Sequence, residues 1–479
     1  MLSAPKLDRG EFVRTLPSII PTAEQLPLIG DNRTGVEVIR GAAGSGKTST
    51  AILRLRSLAY MFEERWEREQ HDSNVQLLVL TFNRTLAGYV RALVDEQVRH
   101  LPRTNVTIDT FGRWARNHLG NITVVGDQQR EAKLGQLGHA LPLSSNYVAK
   151  EVDYLLGRFH PDDLEEYISA ERTGRGVEPR VDRALRRLLL DDVVHPYRLW
   201  LRNQGLVDWN DVAVMMSDVP RRGGYDIAII DESQDFSANQ LRAVHHHLAD
   251  DPAVTFVIDT IQRIYARGFT WSDVGFDMTR ARRHILQANH RNTKQIAAFA
   301  AGILEGVVAE DDGALPNLDA ATTSGEKPKV IVGKYNLQLD WAINYIEENV
   351  DLTNETVAFL KPRGGNFFSE ITSRLAEDGI DYVDITRQPE WPDGPENVAI
   401  STFHSAKGLE FDHVIILGLN AENTPHASAG RDDEGAVLRR LLAVAVARAR
   451  KSVVIGYKES QKSALVDHFK SGTFDRIKL

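Results

Sequence analysis

Val36-Glu37-Val38-Ile39-Arg40 leads directly into Gly41-Ala42-Ala43-Gly44-Ser45-Gly46-Lys47-Thr48. The first five residues are apolar and β-branched enough to predict a strand, and Ser49 to Phe62 reads as a helix. The glycine-rich stretch is therefore a strand-to-helix turn of the form G-x-x-x-x-G-K-[ST], in the setting that motif requires. Its glycines let backbone N–H groups close around phosphate oxygens, and the helix N-terminus adds positive potential. Lys47 is expected to reach β- and γ-phosphates, Thr48 to give its hydroxyl to Mg²⁺, and Ser49 to lie at the edge of the same site. The competing reading is a Gly-rich turn that fits by accident, and the strand before and helix after it weigh against that.

Two further apolar runs end in functional-looking turns. Leu77 to Thr81 precedes Phe82-Asn83, and Ile227-Ala228-Ile229-Ile230 precedes Asp231-Glu232-Ser233-Gln234-Asp235. Adjacent carboxylates at the end of a buried strand repel each other and call for a cation. Asp231 as the holder of a hydrated Mg²⁺ and Glu232 as the base that activates water would meet that need; a solvated acidic loop is the bland alternative. Strands alternating with helices give the fold class α/β, with parallel sheets whose ligands gather beyond the strands' carboxyl ends.

The expected organisation is a first α/β domain over residues 1–112, a Leu- and Arg-rich helical insertion over 113–224, the remainder of the first domain over 225–283, and a second α/β domain over 284–479. A chain of 479 residues exceeds what one hydrophobic core supports. With 42% hydrophobic and 26% charged residues it has the composition of a soluble globular protein. It has no cysteine, which removes disulfides and thiolate metal sites and fits a reducing cytoplasm. No apolar run has the length of a signal-peptide core or a membrane span, so a cytoplasmic protein without a membrane partner is expected. The net charge of −9 argues against a passive nucleic-acid coat but leaves a locally positive groove open.

Taken together and in order, these and other stretches resemble the motifs of UvrD/Rep-type superfamily 1A helicases. Asp231–Asp235 is similar to DExQD, and Gln25 to the glutamine upstream of the P-loop that reads adenine. Thr81-Phe82-Asn83 and Thr107-Ile108-Asp109-Thr110-Phe111 resemble the two early elements that face single-stranded DNA. Asp259 to Tyr265, with Gln262 between, resembles GDxxQxIY, whose glutamine senses γ-phosphate and whose tyrosine stacks on a base. Leu286 to Arg291 resembles LxxNYR. Thr402-Phe403-His404-Ser405-Ala406-Lys407-Gly408-Leu409-Glu410-Phe411 resembles TxHxxKGLEF, and Arg439 to Ala449 resembles RRLxYVAxTRA.

The resemblance implies two RecA-like P-loop domains that clamp one ATP and Mg²⁺. Lys47, Thr48, Asp231, Glu232 and Gln262 come from the first domain, and Arg291 and Arg448 from the second as fingers on the γ-phosphate. Gly408 and Glu410 lie near the ribose and His290 near the base. The implied strand path runs over Phe82, Asn83, Thr110, Phe111, Tyr265, Trp271, Thr402 and His404. The implied activity is ATP-driven 3′→5′ movement on single-stranded DNA; RNA stays open, because no residue read here distinguishes a 2′-hydroxyl.

The chain departs from the family pattern in three ways. Only the turn-rich stretch Thr386–Asn397 stands where the family carries a large accessory insert ahead of TxHxxKGLEF. His290 replaces the adenine-stacking tyrosine, and Arg267 stands where a tryptophan is common. The missing insert also motivates a second reading, an ATP-gated DNA-binding subunit that regulates a partner such as a nuclease without unwinding alone. Arg172, Arg175, Arg180, Arg183, Arg186, Arg187, Arg198 and Arg202 either follow a nucleic-acid backbone or form a solvated helix face. His245-His246-His247 projects in different directions along a helix, which weighs against a metal site.

Overall fold

A computed structural model describes residues 21–41, 45–82, 84–98, 100–171, 180–221, 223–259, 269–286, 292–307, 321, 323–363, 368–386, 388, 396–424 and 433–479. Six strands build the first sheet: β1 (Gly35–Gly41), β2 (Val75–Thr81), β3 (Thr104–Thr110), β4 (Tyr225–Ile230), β5 (Leu248–Asp259) and β6 (Arg282–Leu286). They lie in the order β3-β2-β4-β5-β1-β6, and every pairing is parallel. Their near-continuous apolar runs are what burial on both faces demands. Ile39, Leu77, Val79, Ile227, Ile229 and Val257 face one core, under the helix Lys47–Arg68. Their neighbours Val38, Leu78, Leu80, Ala228, Ile230 and Phe256 face the other.

The second sheet repeats this plan with β7 (Lys329–Val332), β8 (Val357–Lys361), β9 (Tyr382–Asp384), β10 (Val398–Thr402), β11 (Phe411–Ile416), β12 (Ala449–Tyr457) and β13 (Asp475–Lys478). The order is β13-β7-β12-β11-β8-β10-β9, again all parallel. Val414, Ile416, Val453 and Ile455 point into one core and Ile331, Phe359, Ile415 and Val454 into the other. The two sheets give the α/β fold of two RecA-like domains.

The helical stretch between β3 and β4 has two parts. Its outer helices, Phe111–Leu119 and Trp209–Asp218, lie on the first sheet through Trp114, Val212 and Met216. The residues between them close over a core of their own that includes Val148, Tyr167, Leu190 and Tyr197. Between the helices Arg183–Leu188 and His195–Asn203 the chain makes a π-helical turn over Leu189–Val194, in which Leu189, Leu190, Val193 and Val194 are buried.

The arginines of this stretch divide as well. Arg186 is spent on the carbonyls of Tyr167 (3.1 Å), Ile168 (3.3 Å) and Ala170 (2.6 Å), and Arg187 on Glu165 (2.8 Å). Both are therefore structural, while Arg172 and Arg175 lie outside the described residues. His245 packs edge-on against Phe276, His246 meets the carbonyl of Val219 at 2.8 Å, and His247 that of Met216 at 2.9 Å. Three such divergent rings cannot converge on an ion. Among the described residues no helix is long and apolar enough to cross a membrane.

Near its amino end the first sheet contains a buried ion cluster. Glu37 on β1 is fully buried, with Arg54 at 2.9 Å, Arg282 at 3.1 Å and His284 at 2.9 Å. Arg282 and His284 sit on β6, so this cluster fastens the edge strand to the centre of the sheet.

Candidate active site

The carboxyl ends of β1, β2 and β4 meet at one edge of the first sheet. β1 ends at Gly41, and after the loop the long helix starts at Lys47, capped by Gly46 at φ 76°. Ala42, Ala43 and Gly44 lie outside the described residues. Gln25 is buried beside this loop: its Nε2 donates to the carbonyl of Ser45 (3.1 Å), and its Oε1 accepts from the backbone N–H of Thr22 (2.9 Å). The hydroxyls of Ser45 and Thr22 are buried there with no hydrogen-bond partner. Buried orphan hydroxyls beside a phosphate-type loop are what a polar ligand would satisfy.

Across from the loop, Thr48 Oγ1 stands 3.2 and 3.1 Å from the two carboxylate oxygens of Asp231. Asp231 is 2% exposed, and its carboxyl is held above the usual carboxylate range, first by burial and then by the neighbouring Glu232. The Thr48 hydroxyl and the charge of Lys47 act in the opposite direction. Glu232 is also buried, on a backbone twisted to φ 52°, and Gln234 Nε2 donates to its Oε2. A hydroxyl, two close carboxylates and a lysine make the donor set of a magnesium–phosphate site.

The second sheet closes over this edge with the turn that follows β10. Thr402 Oγ1 accepts from the backbone N–H of Ser405 (3.2 Å), which shapes the turn, and His404 is exposed on it. Lys407, 1% exposed, crosses to the first sheet, where its Nζ meets Asp235 and lies 3.3 Å from Glu232 Oε2. The same ammonium lies 5.5 Å from the ring centroid of Phe82 at the end of β2. Gly408 takes φ 86°, and a Cβ there would meet Leu86 on the helix Arg84–Val98. On that helix Thr85 donates to the carbonyl of Ile385 at 2.8 Å, a second bond between the two sheets' elements.

Behind the turn, Arg448 is 2% exposed at the start of β12, donating to the carbonyls of Val444 (3.1 Å) and Leu409 (3.3 Å). Glu410 receives two bonds from Arg450, Nε at 3.1 Å and Nη2 at 2.7 Å. Asn292, not singled out in the sequence, donates to the carbonyl of Ala447 (3.0 Å) and also to that of Ala449, the residues that flank Arg448. Gln262, Tyr265, His290 and Arg291 lie outside the described residues, as does Asn83.

The remaining strand-path residues separate. Thr110 stands at the N-cap position of the helix Phe111–Leu119, at the carboxyl end of β3, half-buried and without a side-chain capping bond. Phe111 itself is 5% exposed, its ring turned inward to Trp114 and Phe236. Trp271 packs 4.5 Å from Phe256 and edge-on to Phe276, so this ring serves the core rather than a surface path. A different tryptophan takes the exposed position: Trp209, 42% exposed, lies over Gly112, where a Cβ would come within 2.8 Å of its ring. Its helix was legible from the capping box of Asp208 and Asp211, but the crossing to Gly112 is a tertiary fact.

Residues 29–274 match the UvrD/REP helicase N-terminal domain, and residues 385–460 match the UvrD-like helicase C-terminal domain. The chain is 23% identical over 454 residues, 87% of its length and 79% of the relative's, to a probable DNA helicase of Mycoplasma pneumoniae. Over 121 residues, 24% of this chain and 16% of the relative, it is 31% identical to DNA helicase II of Haemophilus influenzae. A stretch of 68 residues, 14% of this chain and 10% of the relative, is 38% identical to the ATP-dependent DNA helicase Rep of Buchnera aphidicola.

Proposed function

Because the chain belongs to the UvrD/Rep helicase family, we propose that it is an ATP hydrolase that moves 3′→5′ along single-stranded DNA. One observation carries the reading: the Thr48–Asp231 pair and Glu232 on the first sheet share one buried cluster with Lys407 from the second. A cluster built across two domains changes when a ligand enters between them, and that links hydrolysis to domain movement.

In this reading residues 1–112 and 225–283 form the first motor domain, 113–224 its helical insertion and 284–479 the second motor domain. Lys47 neutralises β- and γ-phosphate oxygens and Gln25 reads adenine. Thr48 and Asp231 fit a magnesium ion, which when bound supplies charge to bridge those phosphates. Glu232 accepts the proton of the attacking water, Gln262 senses the γ-phosphate, and Arg291 and Arg448 stabilise charge on the equatorial oxygens, a contribution of about 10³–10⁵ in rate. Glu410 accepts hydrogen bonds from the ribose. The strand lies across Phe82, Thr110, Trp209, Thr402 and His404, whose rings and hydroxyls grip any base sequence.

The test is ATP turnover of the purified chain with and without single-stranded DNA, followed by strand separation on partial duplexes with a 3′ or a 5′ tail. Stimulation that falls with added salt, together with preference for the 3′ tail, is expected. Preference for the 5′ tail would overturn the polarity. Hydrolysis indifferent to DNA would favour an ATP-gated subunit that serves a partner, and stronger stimulation by RNA would change the substrate.

A further inference from the structure

The segment Gly408–Glu410 is held at two points. Arg448, just before β12, bonds the carbonyl of Leu409 at 3.3 Å, and the backbone N–H of Phe411 returns to the carbonyl of Arg448 at 3.0 Å. On β12 itself, Arg450 brings Nε (3.1 Å) and Nη2 (2.7 Å) onto one oxygen, Oε2, of Glu410. A guanidinium has a rigid fork, so two of its donors on Oε2 hold that carboxylate oxygen in place and restrict where Oε1 can swing. Glu410 on its own has three rotatable bonds and a side chain 23% exposed. Burial opposes the charge of Arg450, but Glu410, with smaller help from Asp412 and Tyr89, outweighs it, so the guanidinium is held above its ordinary range.

We propose that Arg450 is the positioning residue for Glu410, fixing its carboxylate in the orientation that accepts hydrogen bonds from the ribose hydroxyls of the bound nucleotide. The inference rests on the reading of Glu410 as the ribose contact. Sugar selectivity is then set from β12 by a side chain that does not touch the nucleotide. Arg448 immediately precedes the same strand, so the sugar contact and the γ-phosphate finger are held by adjoining residues of the chain.

The experiment compares ATP with 2′-deoxyATP and 3′-deoxyATP as substrates of the full chain, for the unaltered protein, Glu410→Gln, Arg450→Ala and Arg450→Lys. The unaltered protein should prefer ATP over at least one deoxy form. Arg450→Ala should lose at least about fivefold of that preference, through a higher KM for ATP and little change in KM for the deoxy form, because only the hydroxyl-dependent contact is misplaced. Arg450→Lys, which keeps the charge without the fork, should fall between. A merely structural arginine would change both substrates alike. If Glu410→Gln loses the preference and Arg450→Ala keeps it in full, the positioning role is overturned. If Glu410→Gln keeps the preference, the ribose reading of Glu410 itself falls and the inference falls with it.

Discussion

Glu232 carries its carboxylate on a backbone at φ 52°, a region that costs a non-glycine residue about 1–3 kcal/mol and persists where surrounding structure enforces it. The neighbours that enforce it include Asp231, whose carboxylate accepts the Glu232 N–H, and Gln234, which donates to the Glu232 carboxylate; the proposed role of Glu232 as base predicts how its loss acts. Glu232→Gln should lower ATP turnover by about 10²–10⁴-fold while titration with a fluorescent ATP analogue still shows binding; turnover within tenfold of normal would remove it as the base. A second carboxylate tests the fold. Asp226, 7% exposed, has its carboxyl pushed up to about 6 by burial, against the pull of the Gln76 N–H at 2.8 Å. Its folded value lies above the unfolded one, so it favours folding below about pH 4 and that benefit is lost as pH rises through 6. Asp226→Asn, which can still accept the Gln76 bond, should therefore raise the melting temperature at pH 8, by the equivalent of roughly 1–3 kcal/mol, and bring no gain at pH 4. The acid pair and the P-loop were legible in the sequence because their neighbours along the chain define them. Asn292 and Arg450 were not, since each acquires meaning only from a carbonyl or carboxylate brought to it by another strand.

The strand–turn–helix elements behaved as their patterns indicate. β1 and the helix Lys47–Arg68 flank the P-loop, the latter starting two residues before and ending six beyond the expected Ser49–Phe62. It runs on because Glu63-Glu64-Arg65-Trp66-Glu67-Arg68 includes good helix formers and no breaker. Aromatic residues were harder to assign. Nothing in the sequence separates Trp271 from Trp209, and only packing shows that the first lies against the core while the second stays 42% exposed over Gly112. Trp209→Ala should weaken single-stranded DNA binding by about 1–3 kcal/mol, with Trp209→Phe retaining most of it. Fluorescence anisotropy of a labelled oligonucleotide measures this, and unchanged affinity in the alanine variant would take Trp209 out of the path.

Taken whole, the molecule is two sheets whose relation no local pattern encodes. The sequence indicates that Lys407 belongs to one motif and Asp235 to another; it does not indicate that one ammonium reaches both Asp235 and Glu232 across the cleft. All three are buried, so removing the cation takes a buried counter-charge from both carboxylates, at a cost of about 3–5 kcal/mol. Lys407→Met should lose on that order in denaturant unfolding, and Asp235→Asn in the same background should recover part of it. If Lys407→Met unfolds with normal midpoints, the bridge contributes nothing to holding the sheets together.

The place of β1 in its sheet has a consequence for synthesis. Among the described residues β1 pairs with β5 and β6: Gly35 meets Ala253, and Gly41 meets Asp259 and Leu286. On the ribosome the P-loop strand is therefore made long before either partner exists. At about 5–20 residues per second it waits on the order of ten seconds with both edges unpaired. While it waits, β2 and β3, neighbours in both sequence and space, can already pair. The nascent chain thus passes through a period in which the P-loop strand is unpaired and its nucleotide loop has no complete sheet to stand on. Nucleotide can assist folding only after β6 has emerged, so the burden of preventing aggregation before then falls on chaperones and on the pace of translation.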